Sequence, residues 1–210
     1  MKRLVLCLAL ACLTSTVSAE TYVVDGLDPV GDSVLFQSTA KLEFIQGATS
    51  AISGSIVFNP SHTADSINGK LQVDLRTLKT GIEMRDEHMR TRHLETDKFP
   101  FAYFELTAVK RLPEQMAAGV ACTCSAEGYF YIHGVKHKIT PTVEIVDNST
   151  GVLKSVQIRA RFSLNLDEWK IPRPKALFLK LAETINVDVR FAAHVGKPSP
   201  AITLPDWPDN

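Results

Sequence analysis

Two cysteines in the middle of the chain are the first candidates for chemistry. Cys122 and Cys124 stand two residues apart in "ACTCSAEGYF". On a strand this spacing puts both thiols on one face, with Cα atoms roughly 6.6 Å apart, near the upper limit for a disulfide. Three interpretations stay open: two small side chains in a strand wall, a strained redox pair, or part of a thiol metal site. Two thiols alone do not complete a tetrahedral zinc site, so we predict no metal site.

A dense run of charge is the second candidate. The segment Thr80 to His93, "TGIEMRDEHMRTRH", precedes an apolar stretch. We predict a short helix from Met84 to Leu94, with Asp86 near its positive end, where a carboxylate is favoured. Asp86 would then fasten the turn, and Arg85 would reach backbone carbonyls or a carboxylate on a neighbouring strand.

The histidines do not form a recognisable catalytic or metal-binding pattern. There are six of them, at His62, His88, His93, His133, His137 and His194. His133 and His137 flank a predicted hairpin turn, where a spacing of four does not place them on one helical face. His88 and His93 are five apart, a poor geometry for a shared metal. A Ser-His-Asp arrangement cannot be inferred from chain order alone.

The elements that must position these residues are strands. Apolar and polar residues alternate with a period of two in "SAISGSIVF", "SINGKLQVDL", "SVQIRARFSLNL" and "TINVDVRFAAHV", the pattern of antiparallel strands with one dry and one wet face. We predict further strands near residues 22–24, 34–38, 102–108, 121–133 and 138–146, and a second short helical segment near 174–181. Eight or nine such strands predict a closed barrel or a sandwich.

The dry faces mix large with small residues. A barrel of about eight strands is either filled by side chains or holds one small ligand. The small residues on the predicted inner faces are Gly54, Gly69, Ala108, Ala126, Gly128, Ala160 and Ala193. Two interpretations stay open: these residues leave a ligand cavity, or large and small side chains interdigitate in a full core.

The first 19 residues have the pattern of a secretory signal peptide. Two basic residues, an apolar run from Leu4 to Leu13 and the small residues before position 20 predict cleavage after Ala19 and export. Removal of this segment leaves 21 basic and 23 acidic residues, a formal balance of −2, which argues against a nucleic-acid surface. We predict a signal peptide at 1–19, one β-barrel domain at 20–196 and a proline-rich tail at 197–210.

Four segments, in this order along the chain, carry a resemblance to a known family. They are "GSIVFNP", "LKTGIEMRDEHMRTRHLETDKFPFAYFEL", "GYFYIHGVKHKI" and "RFSLNLDEWKIPRP". Together they resemble the YceI-like family, the polyisoprenoid-binding periplasmic proteins. Within the second segment the matching residues are Thr80-Gly81, Arg85-Asp86, Met89, Lys98-Phe99-Pro100 and Phe104. The resemblance runs from about Tyr22 to Val195. It departs at Leu94, where an aromatic residue is more usual, and at the two cysteines.

The resemblance implies the fold, the ligand and the location. The fold would be all-β, a single antiparallel lipocalin-like barrel of about eight strands with one short helical loop. The protein would be a periplasmic binding protein rather than an enzyme, with no covalent cofactor. Its ligand would be an isoprenoid lipid such as an isoprenoid quinone, carried in an apolar lumen. The expected lumen residues are Phe36, Ile56, Phe58, Leu71, Val73, Phe104, Phe130, Ile132, Ala160, Phe162 and Phe191.

The charged loop then has two candidate roles. Arg85, Asp86, His88 and Arg90 either brace the loop or hydrogen-bond a quinone carbonyl or a phosphate head group. A tail burying roughly 400 Å² would gain about 10 kcal/mol gross, whereas one neutral hydrogen bond to the head adds about 1 kcal/mol. The tail is therefore expected to set the affinity, and the head group is expected to set the register, that is, the position of the ligand along the lumen.

Two alternatives from other functional classes accompany this prediction. One is a redox protein that uses Cys122 and Cys124, with a quinone as partner. The other is a ligand-free interaction module with a filled core. A rim that contacts a membrane while lipid is loaded is a further hypothesis.

Overall fold

The computed structural model of the chain describes residues 19–26, 31–39, 44–63, 67–173, 175–176, 179–180, 182–197 and 201–207. The predicted signal peptide, apart from its last residue, lies outside the described residues. Within the described part of the chain, no helix combines the length and the apolar character needed to cross a membrane.

A closed, eight-stranded antiparallel barrel forms the molecule, as predicted. The strands are β1 (Glu20–Val24), β2 (Ser33–Thr39), β3 (Phe44–Thr49), β4 (Ile52–Phe58), β5 (Asn68–Asp74), β6 (Phe101–Lys110), β7 (Ala121–Ile132), β8 (Val135–Ile139), β9 (Thr142–Asp147), β10 (Ser155–Asn165), β11 (Lys175–Ala176), β12 (Leu179–Lys180) and β13 (Thr184–Val195). The barrel order is β1-β4-β5-β6-β7-β9-β10-β13, and β13 closes it by pairing with β1. β2 and β3 lengthen the wall: β2 pairs with β13 and with β3.

The alternation seen in the sequence places the apolar faces inside. β10 pairs with β13 over eleven residue pairs without a register break, which keeps the inward residues of both strands at matching levels. Ile158 is buried opposite Phe191, and Ala160 is opposite Val189. Since side chains alternate across a strand, every second residue of these strands reaches the lumen.

Two predicted elements have different boundaries in the structure. The stretch predicted as one strand near 138–146 is divided between β8 and β9 at Thr140 and Pro141, because proline supplies no backbone donor to a ladder. The predicted second helical segment near 174–181 is wrong where the structure describes it: β11 and β12 pair there as antiparallel strands. Residues 174, 177, 178 and 181 lie outside the described residues.

The predicted helix at Met84 to Leu94 is present, but it changes type. Helix α1 spans Glu83–His88, and a π-helical segment spans Met89–His93. The amide of Leu94 donates to the carbonyl of Met89 at 2.8 Å, the five-residue spacing of a π-turn. Such turns occur often at functional sites. This segment follows β5 and covers one end of the barrel.

The hairpin predicted around the His-Gly pair is tight. β7 ends at Ile132 and β8 begins at Val135, so His133 and Gly134 form the whole connection. Their φ angles are +52° and +76°, as a two-residue type I′ turn requires. This turn keeps β7 and β8 in register beside the segment that covers the barrel end.

The described part of the C-terminal tail lies against the barrel. Trp207 packs edge-on against Phe99 at 5.7 Å between ring centroids and lies 6.1 Å from the ring of Tyr131. Phe99 follows the helical segment, so the tail contacts the connection from that segment into β6.

Candidate functional site

Two apolar cavities lie end to end inside the barrel. The outer chamber, at the end covered by α1, has a volume of about 470 Å³. The inner chamber, deeper in the barrel, has a volume of about 120 Å³. An engineered apolar cavity of about 150 Å³ holds a benzene molecule, so the outer chamber has room for about three such rings. The barrel is thus not filled by its own side chains.

Five residues line both chambers and form a waist between them. They are Val73, Ala102, Phe130, Phe162 and Val189, contributed by β5, β6, β7, β10 and β13. The rings of Phe130 and Phe162 meet edge-to-face, with centroids 5.4 Å apart. The waist is therefore the narrow point where the two volumes adjoin.

All eleven residues predicted for the lumen face one or both chambers. Ile56, Phe58, Leu71, Phe104, Ala160 and Phe191 line the inner chamber, Phe36 and Ile132 line the outer chamber, and Val73, Phe130 and Phe162 belong to the waist. For Ile56, Phe58, Leu71, Val73, Ala160, Phe162 and Phe191 the alternation pattern predicted the inward face, because side chains alternate across a strand. Their contact with a ligand stays a prediction.

Small residues on the inner faces do not all leave space. A Cβ atom at Gly128 would lie 2.7 Å from the ring of Phe104 and 2.3 Å from the carbonyl oxygen of Glu105. The Phe104 ring thus occupies the place of the missing side chain, as in an interdigitated core. Ala126 and Ala160, by contrast, line the inner chamber directly. Both sequence-based interpretations therefore hold, at different levels of the barrel.

The Arg-Asp pair of the charged loop forms a clamp. Asp86 is 7% exposed, and its carboxylate accepts hydrogen bonds from the amide of Thr80 at 2.7 Å and from the Thr80 hydroxyl. Arg85 donates from Nε to the Thr80 hydroxyl at 2.8 Å and from a terminal nitrogen to the Thr80 carbonyl at 3.1 Å. Both side chains thus fold α1 back onto the end of the preceding loop.

The electrostatics of this clamp favour an ionised Asp86. Burial raises the pKa of the Asp86 carboxyl, but the two hydrogen bonds from Thr80 and the positive charges of Arg90 and Arg85 outweigh it, so the pKa lies below its ordinary value. Arg90 does not line either chamber, and its attraction to Asp86 gives it a bracing role.

The polar side chains at the outer chamber come from the same segment. Thr80, Arg85, His88 and His93 line it, and none of its described lining residues is acidic. Nδ1 of His93 lies 2.7 Å from the carbonyl of Pro172. A carbonyl only accepts, so Nδ1 carries the proton and donates. Burial is the main cause that lowers the pKa of His93 below its ordinary value; the charges of His88 and Arg92 add to it, and the hydrogen bond to Pro172 opposes it.

Several lining residues were not found from the sequence. Ile82, Met84, His93, Leu94, Ile171 and Pro172 all line the outer chamber. They lie in loops and in the helical segment, where no period-two signal reports the side that faces the barrel. Leu94, the departure from the family pattern, is buried at the chamber wall.

Trp169 supports the wall of the outer chamber from behind. It is 2% exposed, and its ring packs edge-on against Phe130 at 5.2 Å and His137 at 4.8 Å. His133 lies within 2.9 Å of a carboxylate oxygen of Glu95 and 3.4 Å from the Trp169 carbonyl. The turn that contains Trp169, the His-Gly hairpin and the helical segment are thereby joined.

The two cysteines are free thiols. Cys124 is buried and lines the inner chamber. Burial raises the pKa of the Cys124 thiol to about 11. The charge of Cys122 adds to this rise, and the charge of Arg111 opposes it. A protonated thiol is a weak nucleophile, so the structure gives the redox alternative no support. Among the described residues, no cluster of three or more potential ligands could hold a metal ion.

Solved structures with the same fold were found. They include BcnA from Burkholderia cenocepacia (TM-score 0.62, 16% identity, covering 80% of this chain and 98% of that chain). A polyisoprenoid-binding domain from Saccharophagus degradans, described as implicated in plant cell wall breakdown, has a TM-score of 0.63 and 14% identity and covers 85% of this chain and 100% of that one. The YceI protein of Campylobacter jejuni has a TM-score of 0.61 and 16% identity, over 73% and 86% of the two chains. At these identities the likeness shows the fold alone.

A comparison with curated proteins returned no match. A family model described as the YceI-like domain matches residues 26–193. That range contains β2 to β12 and nearly all of β13, hence both chambers, the waist and the Arg85-Asp86 clamp. The chain therefore belongs to the YceI-like family.

Proposed function

We propose that this protein binds and carries an isoprenoid lipid in the lumen of its barrel. The observation that carries the proposal is the outer chamber, an apolar space of about 470 Å³ within the range of about 300–1,000 Å³ typical of ligand pockets. A solved relative in fold is described as a polyisoprenoid-binding domain, which supports this class of ligand. The open volume also argues against the ligand-free module with a filled core.

Burial of the tail is expected to supply most of the affinity. The outer-chamber lining is predominantly apolar, with aromatic rings from Phe36, Phe130 and Phe162. Each CH₂ removed from water contributes about 0.8 kcal/mol, and ordering of the tail offsets part of that gain. Methyl-branched isoprene units match a wall built from Val, Ile, Leu and Phe. The protein thus acts by binding and needs no catalytic group.

A quinone is the head group that we propose. The polar lining residues Arg85 and His88 can both donate hydrogen bonds, and the carbonyls of a quinone only accept. Because Arg85 already bonds Thr80, the head would share a donor whose position is fixed by the clamp. The head would therefore set the position of the ligand along the bore, while the charge of Arg90 stabilises the ionised Asp86.

Loading from a membrane surface is part of the proposal. Ile82 and Met84 line the outer chamber, yet their exposed fractions are 54% and 70%. Apolar side chains that belong both to the cavity and to the surface give a tail a path between a bilayer and the lumen. Replacing Met84 by Asp should slow the extraction of a quinone from lipid vesicles by a larger factor than it weakens the equilibrium affinity for the same quinone in solution. An unchanged extraction rate would remove the membrane step from the proposal.

Export to the periplasm is proposed from the first 19 residues. Their basic start, apolar run and small-residue end have the order of a cleaved signal. Intact-mass analysis of the protein from a periplasmic extract should give the mass of a chain that begins at Glu20. Recovery of the full-length chain in the cytoplasmic fraction would overturn this location.

A binding titration tests the proposed function. Protein stripped of lipid by unfolding and refolding is titrated with an isoprenoid quinone. Val187→Trp would place a large ring in the outer chamber, which Val187 lines, and should weaken binding by at least tenfold. Ala192→Trp puts the same side chain on the exposed face of β13 and should leave binding unchanged. Absence of binding by the parent protein, or equal effects of the two variants, would contradict the proposal.

A further inference from the structure

The inner chamber is a separate part of the lumen with its own chemistry. Its described lining residues include no charged side chain, and only Tyr103 and Cys124 among them carry a polar side-chain atom. Its volume of about 120 Å³ is somewhat below the roughly 150 Å³ that holds a benzene molecule. It therefore has room for about one small branched hydrocarbon group and offers nothing that would recognise a polar one.

The waist joins this space to the outer chamber. Val73, Ala102 and Val189 are small or β-branched, whereas Phe130 and Phe162 are the large aromatic members of the waist. Phe130 is held from two sides, by Trp169 at 5.2 Å and by Phe162 at 5.4 Å. Among the ring contacts of the described residues, Phe162 has one, with Phe130. Because Phe130 is also held by Trp169, we infer that Phe162 is the waist ring that turns aside when a chain passes.

We propose that the waist and the inner chamber select ligands by tail length, an inference that rests on the proposed function. A short-tailed lipid fills the outer chamber and stops at the Phe130–Phe162 contact. A longer tail turns Phe162 aside and places its terminal branched unit in the inner chamber. The added contact is apolar only, so the selected feature is the length of the hydrocarbon and not its head.

The expected preference is a ratio of affinities. Burying one further branched unit would add several CH₂ equivalents of apolar contact, reduced by the ordering of the tail and the displacement of the Phe162 ring. We expect a tail long enough to cross the waist to bind roughly tenfold more tightly than one that ends in the outer chamber. Further lengthening beyond the inner chamber should add little.

The test uses quinones that share one head group and differ only in the number of isoprene units. Dissociation constants are measured for the parent protein and for Ala160→Leu, since Ala160 lines the inner chamber and not the outer one. The added side chain should reduce the roughly tenfold long-over-short ratio to about one. Ala192→Leu, the same change on the exposed face of β13, should keep the parent ratio.

A second variant keeps the proposal testable if Ala160→Leu does not fold. Phe162→Leu shortens the ring that closes the waist, so the association rate of long-tailed quinones should rise several-fold relative to that of short-tailed ones. Thermal melts establish that each variant is folded. A parent protein that binds short and long tails equally, or variants that change both tail classes by the same factor, would overturn the length selection and leave the binding function intact. A parent protein that binds no member of the series would overturn both.

Discussion

Thr80, Arg85 and Asp86 show how three side chains can fix the cover of a cavity. The Asp86 carboxylate is buried and bonded by the Thr80 amide and hydroxyl, and Arg85 bonds the same threonine from the other side. A buried carboxylate is tolerated only when its oxygens are paired. The residue types of this clamp could be predicted from the sequence as a brace. The identity of its partner could not, because Thr80 reaches Asp86 only after the loop has folded back.

Removing the Asp86 carboxylate should loosen this end of the barrel. Asp86→Ala leaves the Thr80 amide and hydroxyl without their acceptor, so the free energy of unfolding should fall by about 2 kcal/mol. Asp86→Asn keeps an acceptor of the same shape and should cost less. Glu87→Ala, at the exposed neighbouring position, is the control in urea unfolding. Equal stability of Asp86→Ala and Glu87→Ala would contradict the clamp.

The pH dependence of stability should report on Asp188, on the outer wall. Arg159 bonds its carboxylate at 2.9 Å from Nε, and Arg161 and Arg190 approach within 3.6 Å. The pKa of Asp188 lies below its ordinary value, mainly because of the hydrogen bond from Arg159. Burial opposes this shift, and the positive charges of Arg159, Arg190 and Arg161 add to it. A lowered folded-state pKa stabilises the fold above the unfolded-chain value and loses that contribution as the pH falls through the folded-state value.

Asp188→Asn is therefore expected to cost about 1 kcal/mol at neutral pH. The difference from the parent protein should shrink as the pH falls below about 4, since the parent carboxylate is then protonated as well. Urea unfolding at a series of pH values measures this difference in the free energy of unfolding. Asp97→Asn, at an exposed position, is the control. A difference that stays constant down to the acid limit would count against this cluster.

The thiols should differ in reactivity. Cys124 is 1% exposed and the pKa of its thiol is raised to about 11, whereas Cys122 is only partly buried. With single-cysteine variants, Cys122→Ser and Cys124→Ser, a water-soluble disulfide reagent at neutral pH should modify Cys122 much faster than Cys124. Fast modification of Cys124 would restore the redox alternative.

At the scale of elements, the cover of the outer chamber is assembled from distant parts of the chain. The helical segment, the His133-Gly134 hairpin and the turn around Trp169 meet through Glu95, His133 and Trp169 itself. Strand faces could be read from the alternation of β5, β10 and β13. Which side chains of these loops face the chamber could not be predicted, because the orientation of a loop is set by long-range packing and not by local periodicity.

The two tryptophans offer a comparison of these elements. Trp169 is 2% exposed and packs on Phe130, so Trp169→Ala should lower the free energy of unfolding by about 3–5 kcal/mol through the cavity it leaves. Trp207 lies in the tail on Phe99, and Trp207→Ala should cost clearly less. Thermal unfolding measures both. A larger loss from Trp207→Ala would mean that the tail, and not the Trp169 turn, holds this end of the barrel.

For the whole molecule, the sequence could predict a barrel with an apolar bore but not how the bore is divided. The waist exists because five strands place Val73, Ala102, Phe130, Phe162 and Val189 at one level. That level depends on the register of each strand pair. The numbers of large and small residues do not predict how the bore is divided. Phe104 fills the space over Gly128, whereas Ala160 leaves space open.

We expect a lipid to occupy the bore of this barrel in the cell. The most direct measurement is extraction of the protein, purified without detergent from its native host, into organic solvent, followed by mass spectrometry of the extract. We predict an isoprenoid lipid in near-stoichiometric amount, and clearly less of it in an extract of the Val187→Trp variant purified in the same way. An extract without lipid, or the same lipid at the same level from both proteins, would contradict the account.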